Sequence, residues 1–140
     1  MENRITEFIK KHHVLTLATS FEGLPWVANC FYAYLEEENV LVFTSGRDTK
    51  HIRDLKDGNK VAASIVLETS VVGKIQGIQL RGSLTEPAGK LLNASKMAYL
   101  KRFPFTALME TTLWVLEPET IKMTDNRLGF GKKLIWEKPL

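Results

Sequence analysis

Residues 14–44 read VLTLATSFEGLPWVANCFYAYLEEENVLVFT, three apolar runs separated by two breaks. Val14-Leu-Thr-Leu-Ala-Thr19 is rich in residues that favour a pleated, half-buried surface, and Glu22-Gly23 supplies a turn. Residues 26–34 are a second extended run of aromatic and small side chains. The polar stretch Glu36-Glu37-Glu38-Asn39 then leads into Val40-Leu-Val-Phe-Thr44. The three runs predict a β-meander.

Upstream of the meander, Ile5, Phe8 and Ile9 fall at i, i+3 and i+4, which predicts a short amphipathic helix over 2–12, ending near His12 and His13. Downstream, Ser45-Gly46-Arg47 breaks the third strand. Asp48 is expected to cap a helix that turns Ile52 and Leu55 inward and closes at Gly58-Asn59. Residues 60–67 predict a fourth strand and 74–84 a fifth, bounded by Gly73 and Glu86-Pro87 and weakened or bent at Gly77 and Gly82. A helix follows over 88–102, stopped at Phe103-Pro104. Residues 111–124 are extended but interrupted at Pro118, and 130–136 form the last strand after a turn at Asp125-Asn126. Six to seven short strands with three inserted helices predict a mainly β fold, a small antiparallel barrel rather than a doubly wound sheet. With no internal repeat and no long linker, residues 1–140 are expected to form one domain.

Composition sets the outer bounds. A chain of 140 residues, 44% hydrophobic and 25% charged, is long enough to bury a core unaided and excludes collagen, coiled coil and low-complexity tails. The single cysteine, Cys30, cannot form an internal disulfide, and the acids Glu2 and Glu7 stand where a secretory signal needs basic and then apolar residues. A cytoplasmic protein is expected. The longest charge-free stretch, residues 24–35, is too short to cross a bilayer and contains Pro25 and Asn29, so no membrane span is expected. Residues 1–70 carry 8 Lys+Arg against 10 Asp+Glu, while 71–140 carry 11 against 6. The basic half suits an anion, although a nucleic-acid surface is usually denser in charge.

Chemistry concentrates after the third run, in Thr44-Ser-Gly-Arg-Asp-Thr-Lys50-His-Ile-Arg53. A strand delivers Thr44 and Ser45, and a helix then begins with Thr49 and Lys50 beside free backbone N–H groups. Hydroxyls, amides and an ammonium group in that order suit a phosphate. The alternative is that Asp48 merely caps a helix with solvated lysines, and an acidic cap opposes an anion unless it points away.

Leu17-Ala18-Thr19, Gly23-Leu24-Pro25-Trp26, Val42-Phe43-Thr44 and Lys50 together resemble, in type and spacing, the pyridoxamine 5′-phosphate oxidase-like FMN-binding split-barrel family. The likeness covers most of residues 14–84 and is looser beyond. It implies a split β-barrel that binds FMN at the interface of a homodimer. Ala28, Asn29 and Cys30 would line the flavin, Phe43 and Thr44 would sit at its ring or ribityl chain, and Ser45, Thr49 and Lys50 would hold the phosphate. Two family arginines are replaced, by Thr49 and by Ala28, so Arg47 or Arg53 would supply part of the charge. A family glutamine position holds Gly77, and Gln79 two residues on shares its strand face, unlike Gln76. Ala33 replaces the substrate-binding lysine of true pyridoxamine-phosphate oxidases, and their C-terminal Arg-Leu-His-Asp-Arg segment is absent. The resemblance therefore implies a substrate other than pyridoxamine phosphate. Residues 99–104 and 124–136 are similar to the YhbP-like branch of the family.

Phe130, Lys132, Leu134 and Trp136 alternate onto one face, so Lys132 would reach an anionic ring edge with Trp136 beside it; the equal alternative is a barrel strand with a snorkelling lysine. Gly129 and Gly131 precede no helix and read as a turn or bulge rather than a dinucleotide fingerprint. His12, His13 and His51 lack the spacing of metal ligands, and no metal is expected. His51 would approach the phosphate or sit on a helix surface. Cys30 is expected to be a buried small residue rather than a nucleophile. Trp26 and Trp114 are read as core or interface anchors. No catalytic acid is assigned, because in a flavin enzyme the redox chemistry belongs to the cofactor. The reading is an FMN-dependent oxidoreductase acting on a small molecule. The alternatives are a non-enzymatic flavin or haem module, or a basic barrel for single-stranded nucleic acid that uses Trp114, Trp136 and the C-terminal lysines.

Overall fold

The computed structural model describes residues 1–55, 59–108 and 110–140. Along the chain run α1 (Asn3–Lys11), β1 (Val14–Phe21), β2 (Leu24–Leu35), β3 (Val40–Ser45), α2 (Lys50–Arg53), β4 (Lys60–Val66), β5 (Gln76–Thr85), α3 (Gly89–Arg102), β6 (Thr112–Asp125) and β7 (Lys133–Glu137). Short 3-10 turns occupy Val72–Lys74, Pro104–Leu108 and Asn126–Leu128.

All seven strands pair antiparallel in the order β3-β2-β1-β4-β5-β6-β7. β3 also pairs with β6, which closes six strands into a ring and leaves β7 outside it. The length of β6 makes this possible: its first residues, from Thr112, bond β3, while Thr120 to Thr124 bond β7. This is the small antiparallel barrel expected from the sequence.

Side-chain alternation fills the ring. Leu15 and Leu17 of β1, Val61, Ala63 and Ile65 of β4, and Ile121 and Met123 of β6 point inward and are buried, as period-two geometry requires. α1 plugs one end with Ile5, Phe8 and Ile9, each contributing about 1.5–3 kcal/mol of burial. The hydroxyl of Tyr32 donates to the Ile9 carbonyl at 2.6 Å and pins the plug to β2. α3 covers the outer side of β2, β3 and β6, where Ala33, Val42 and Val115 are buried beneath it. Its last residue, Arg102, donates to the carbonyls of Tyr32 and Lys10, each at 3.0 Å, and of His12.

Four local expectations are corrected. Pro118 does not interrupt β6, because the register shifts there: Gly82 faces Pro118 while Arg81 faces Thr120, so Glu119 is the extra residue of a bulge. The last strand begins at Lys133 rather than at 130, because residues 129–132 form a turn with Gly129 at φ 131° and Gly131 at φ 68°. The fifth strand starts at Gln76, after the 3-10 turn. The helix after β3 is one turn, its N-cap position is Thr49 rather than Asp48, and no side chain caps it. The expected closure at Gly58 lies outside the described residues. Among the described residues, no helix is long and apolar enough to cross a membrane, and no cluster of His, Cys, Asp and Glu could hold a metal ion.

Candidate functional site

β3 ends where the barrel ends, and the turn that follows packs its polar groups against one another. The Ser45 side chain, nearly buried, lies with its Oγ 2.5 Å from His51 Nε2 and 3.4 Å from Thr49 Oγ1. Thr49 Oγ1 donates to the Gly46 carbonyl at 2.7 Å and lies 3.3 Å from His51 Nε2. Across the strand pair, the Trp114 indole N–H donates to the Ser45 carbonyl at 2.9 Å, which fixes the end of β3. Burial lowers the pKa of His51 below 6.5, and the Asp54 carboxylate opposes that shift in part.

Lys50 lies beside this cluster. Its ammonium donates to both oxygens of Asp54 at 3.0 and 3.2 Å and sits 5.4 Å from the centre of the Trp26 ring. A single turn of helix carries little dipole, so attraction for an anion here rests on Lys50 and the hydroxyls rather than on α2 itself. Arg47 is committed elsewhere, in an ion pair with Glu86.

A groove lies on the face of β2 opposite the Trp26 side chain. Thr16, Ala18, Val27, Ala62, Ser64 and Gln79 line an open depression of about 250 Å³ on the outer face of the sheet. The register sets Asn29, Thr16, Ser64 and Gln79 side by side across four strands, a row about 14 Å long at the usual strand spacing. Small side chains keep its floor flat. At one end Thr16 Oγ1 donates to Asn29 Oδ1 at 2.7 Å; at the other Gln79 is exposed.

The site that assembles is narrower than the one the sequence suggested. Ser45, Thr49 and Lys50 come together at the turn, and Asn29 and Gln79 share the groove face. Ala28 and Cys30 alternate to the inner side of β2, and Phe43 is fully buried in the core. Thr44 faces α3, its hydroxyl 3.5 Å from that of Tyr99, where both border a cavity of about 170 Å³. Trp136 and Leu134 pair with the inward residues Ile121 and Met123, so they face away from the groove, and Lys132 lies in the turn before β7. One contributor went unassigned from the sequence, and a second was left between two readings. Asp54 was signalled by its i, i+4 spacing from Lys50. His51 had no local signal separating it from a surface histidine, because its partner Ser45 lies across the turn.

No protein-family model matches the chain. Among solved structures, a heme binding protein from Mycobacterium smegmatis superposes with a TM-score of 0.78 at 22% identity, over 94% of this chain and 56% of that one. An FAD binding protein from the same organism superposes with a TM-score of 0.72 at 14% identity, over 99% of this chain and 98% of that one. At such identities the likeness is one of fold, and it agrees with the partly closed antiparallel barrel. In sequence, the UPF0306 protein plu4501 of Photorhabdus laumondii is 34% identical over 134 residues, 96% of this chain and 94% of the relative. At that identity and coverage, the chain is a member of the UPF0306 family.

Proposed function

We propose that this protein is a cytoplasmic flavoprotein in which two copies of the chain face each other across the groove and hold FMN between them, for electron transfer with a small molecule other than pyridoxamine phosphate. The observation that carries the reading is an anion cradle of Ser45, Thr49 and Lys50 at the barrel end, with Lys50 beside Trp26 of β2, and a flat groove on the outer face of that same strand. The solved proteins of this fold that bind FAD or heme support the same reading.

The residues present fit the cofactor. Lys50 carries three donors, two of them directed at Asp54, so the third remains for a phosphate oxygen. Asn29 and Gln79 offer amide groups to the polar edge of a planar ring. The groove, at about 250 Å³, falls below the usual 300–1,000 Å³ of a small-molecule pocket, which is the expected size for half of a shared site. When bound, the flavin supplies hydride and electron transfer, and the protein supplies anchoring, hydrogen bonds and exclusion of water.

The purified protein is expected to be yellow, or to bind added FMN with quenching of flavin fluorescence. Lys50→Ala should weaken that binding by about 1.5–3 kcal/mol, roughly ten- to a hundredfold. A colourless protein whose melting is unmoved by excess FMN would overturn the proposal. A Soret band with added heme, and no flavin response, would assign the groove to heme instead. Bound FMN that neither nicotinamide cofactor reduces under anaerobic conditions would mark a binding module rather than a reductase using those donors.

A further inference from the structure

We infer that His51 is the positioning residue of the anion cradle: its imidazole decides whether the Ser45 hydroxyl can donate to a bound phosphate, so that binding a phosphate monoester is coupled to uptake of a proton by His51. The inference rests on the phosphate placement proposed above.

The hydrogen bonds constrain the protons. Thr49 gives its hydroxyl proton to the Gly46 carbonyl at 2.7 Å, so towards Ser45 and His51 its oxygen can only accept. Between Ser45 Oγ and His51 Nε2, 2.5 Å apart, one proton is shared. With His51 neutral and its proton on Nδ1, Ser45 is the donor and its proton is spent on the imidazole. An anion would then meet oxygen lone pairs. The neutral Nε2–H tautomer frees that proton but brings no charge to the cradle. With His51 protonated, Nε2–H donates to Ser45 and the Ser45 proton is released to face outward. The same step adds a positive charge beside Lys50, so protonation favours an anion twice.

Several charged and polar groups bear on this balance. On its own helix it has Lys50 and Arg53 as cations and Asp54 as an anion, and Asp48 lies in the preceding turn. β3 presents the Ser45 hydroxyl, β6 the Trp114 indole N–H on the Ser45 carbonyl, and β2 the Trp26 ring beside Lys50. Partial burial favours the neutral imidazole, and Asp54 pulls the other way. A phosphate dianion adds to the Asp54 side. By linkage, a rise of one pKa unit at His51 on binding corresponds to about tenfold in affinity between low and high pH.

FMN affinity is to be measured by fluorescence quenching from pH 6.5 to 8.5, where a phosphate monoester with a second pKa near 6 is largely the dianion. Riboflavin, which lacks the phosphate, serves as the control. The FMN Kd is expected to rise several-fold across the range in the unaltered protein, to rise less in Ser45→Ala, which keeps the charge and loses the hydroxyl, and to stay flat in His51→Gln and for riboflavin. NMR titration of the His51 ring should show its pKa raised by inorganic phosphate, with His51→Gln identifying the signal. FMN binding that is independent of pH overturns the inference and leaves the flavin reading standing. Absence of FMN binding, with the His51 shift by phosphate intact, overturns the flavin reading and leaves the cradle. Absence of both overturns both.

Discussion

At Asp125 a carboxylate is buried completely at the end of β6, a placement tolerated only with compensation. Arg127 supplies it through its backbone N–H and side chain, at 2.9–3.0 Å, and Arg4 adds a contact at 3.3 Å. These bonds, Arg127 first, hold the Asp125 pKa below 3.8. A depressed carboxylate stabilises the fold fully above its unfolded pKa and loses that contribution as pH falls towards the folded value. Asp125→Asn should therefore cost about 1–3 kcal/mol in urea unfolding at pH 7 and less with each step into acid below pH 4. The turn at Asp125 was legible, since aspartate favours turns. The added contact from Arg4 was not, because Arg4 lies at the far end of the chain. Gly82 was legible as a weak point but not as a necessity: a Cβ there would collide with the Glu117 carbonyl across the bulge. Gly82→Ala should cost about 1–3 kcal/mol or more in thermal unfolding as β5 and β6 separate to admit it. Burial pushes the Cys30 thiol up to about 11, so the native protein should resist alkylation at pH 8 and react only on unfolding.

Among the elements, those with a repeating apolar pattern were readable and those made by a single contact were not. α1 announces itself through Ile5, Phe8 and Ile9 because one stripe of a helix must face the barrel, and all three are buried. Phe8→Ala should remove about 3–5 kcal/mol and loosen the plug, read as a lower urea midpoint. Tyr32→Phe, which deletes the bond to the Ile9 carbonyl, should cost less, about 1–3 kcal/mol, because it leaves one buried acceptor without its partner. β1 and β2 were equally legible, since one face of each is largely packed and the period is two, and β3 was legible as a short continuous apolar run because both its faces are buried. α2 was overextended because its cap and its apolar pair Ile52 and Leu55 mimic the start of a longer helix, whereas its Lys50–Asp54 bond closes one turn. β6 was divided in error at Pro118, because a proline excludes a central strand only where the ladder is regular, and here Gly82 opposite allows a bulge. The cradle follows the same logic. Its chemistry could be read from Ser45, Thr49 and Lys50, but the direction of each side chain depends on where β3 ends.

On the scale of the whole molecule, the outer face beside the groove carries several exposed apolar side chains. Val14, Val27, Phe31, Val66 and Ile135 project from β1, β2, β4 and β7 on the same side as Thr16, Ser64 and Gln79, and they are 44–67% exposed. Val14 and Phe31 are direct neighbours, Val27 lies beyond the polar row of Asn29 and Thr16, and Ile135 stands next to Lys122 at the far end of that row; apolar side chains gathered on one sheet face suit an interface. Alternation alone could not reveal it, because outward valines read the same as inward ones until the sheet is closed and its two faces are told apart. If the patch buries itself against a second copy, two shallow grooves become one cleft and the two cradles stand at its ends. Light scattering should then give a dimer for the unaltered chain. Val66→Glu combined with Ile135→Glu, both remote from the cradle residues, should give a folded monomer, since like charges would meet across the interface at a cost of several kcal/mol. FMN binding should fall with the dimer, because each copy retains only half of the site. A monomeric double variant that kept the FMN Kd of the dimer would move the flavin off this face, and a dimer untouched by both charges would move the interface.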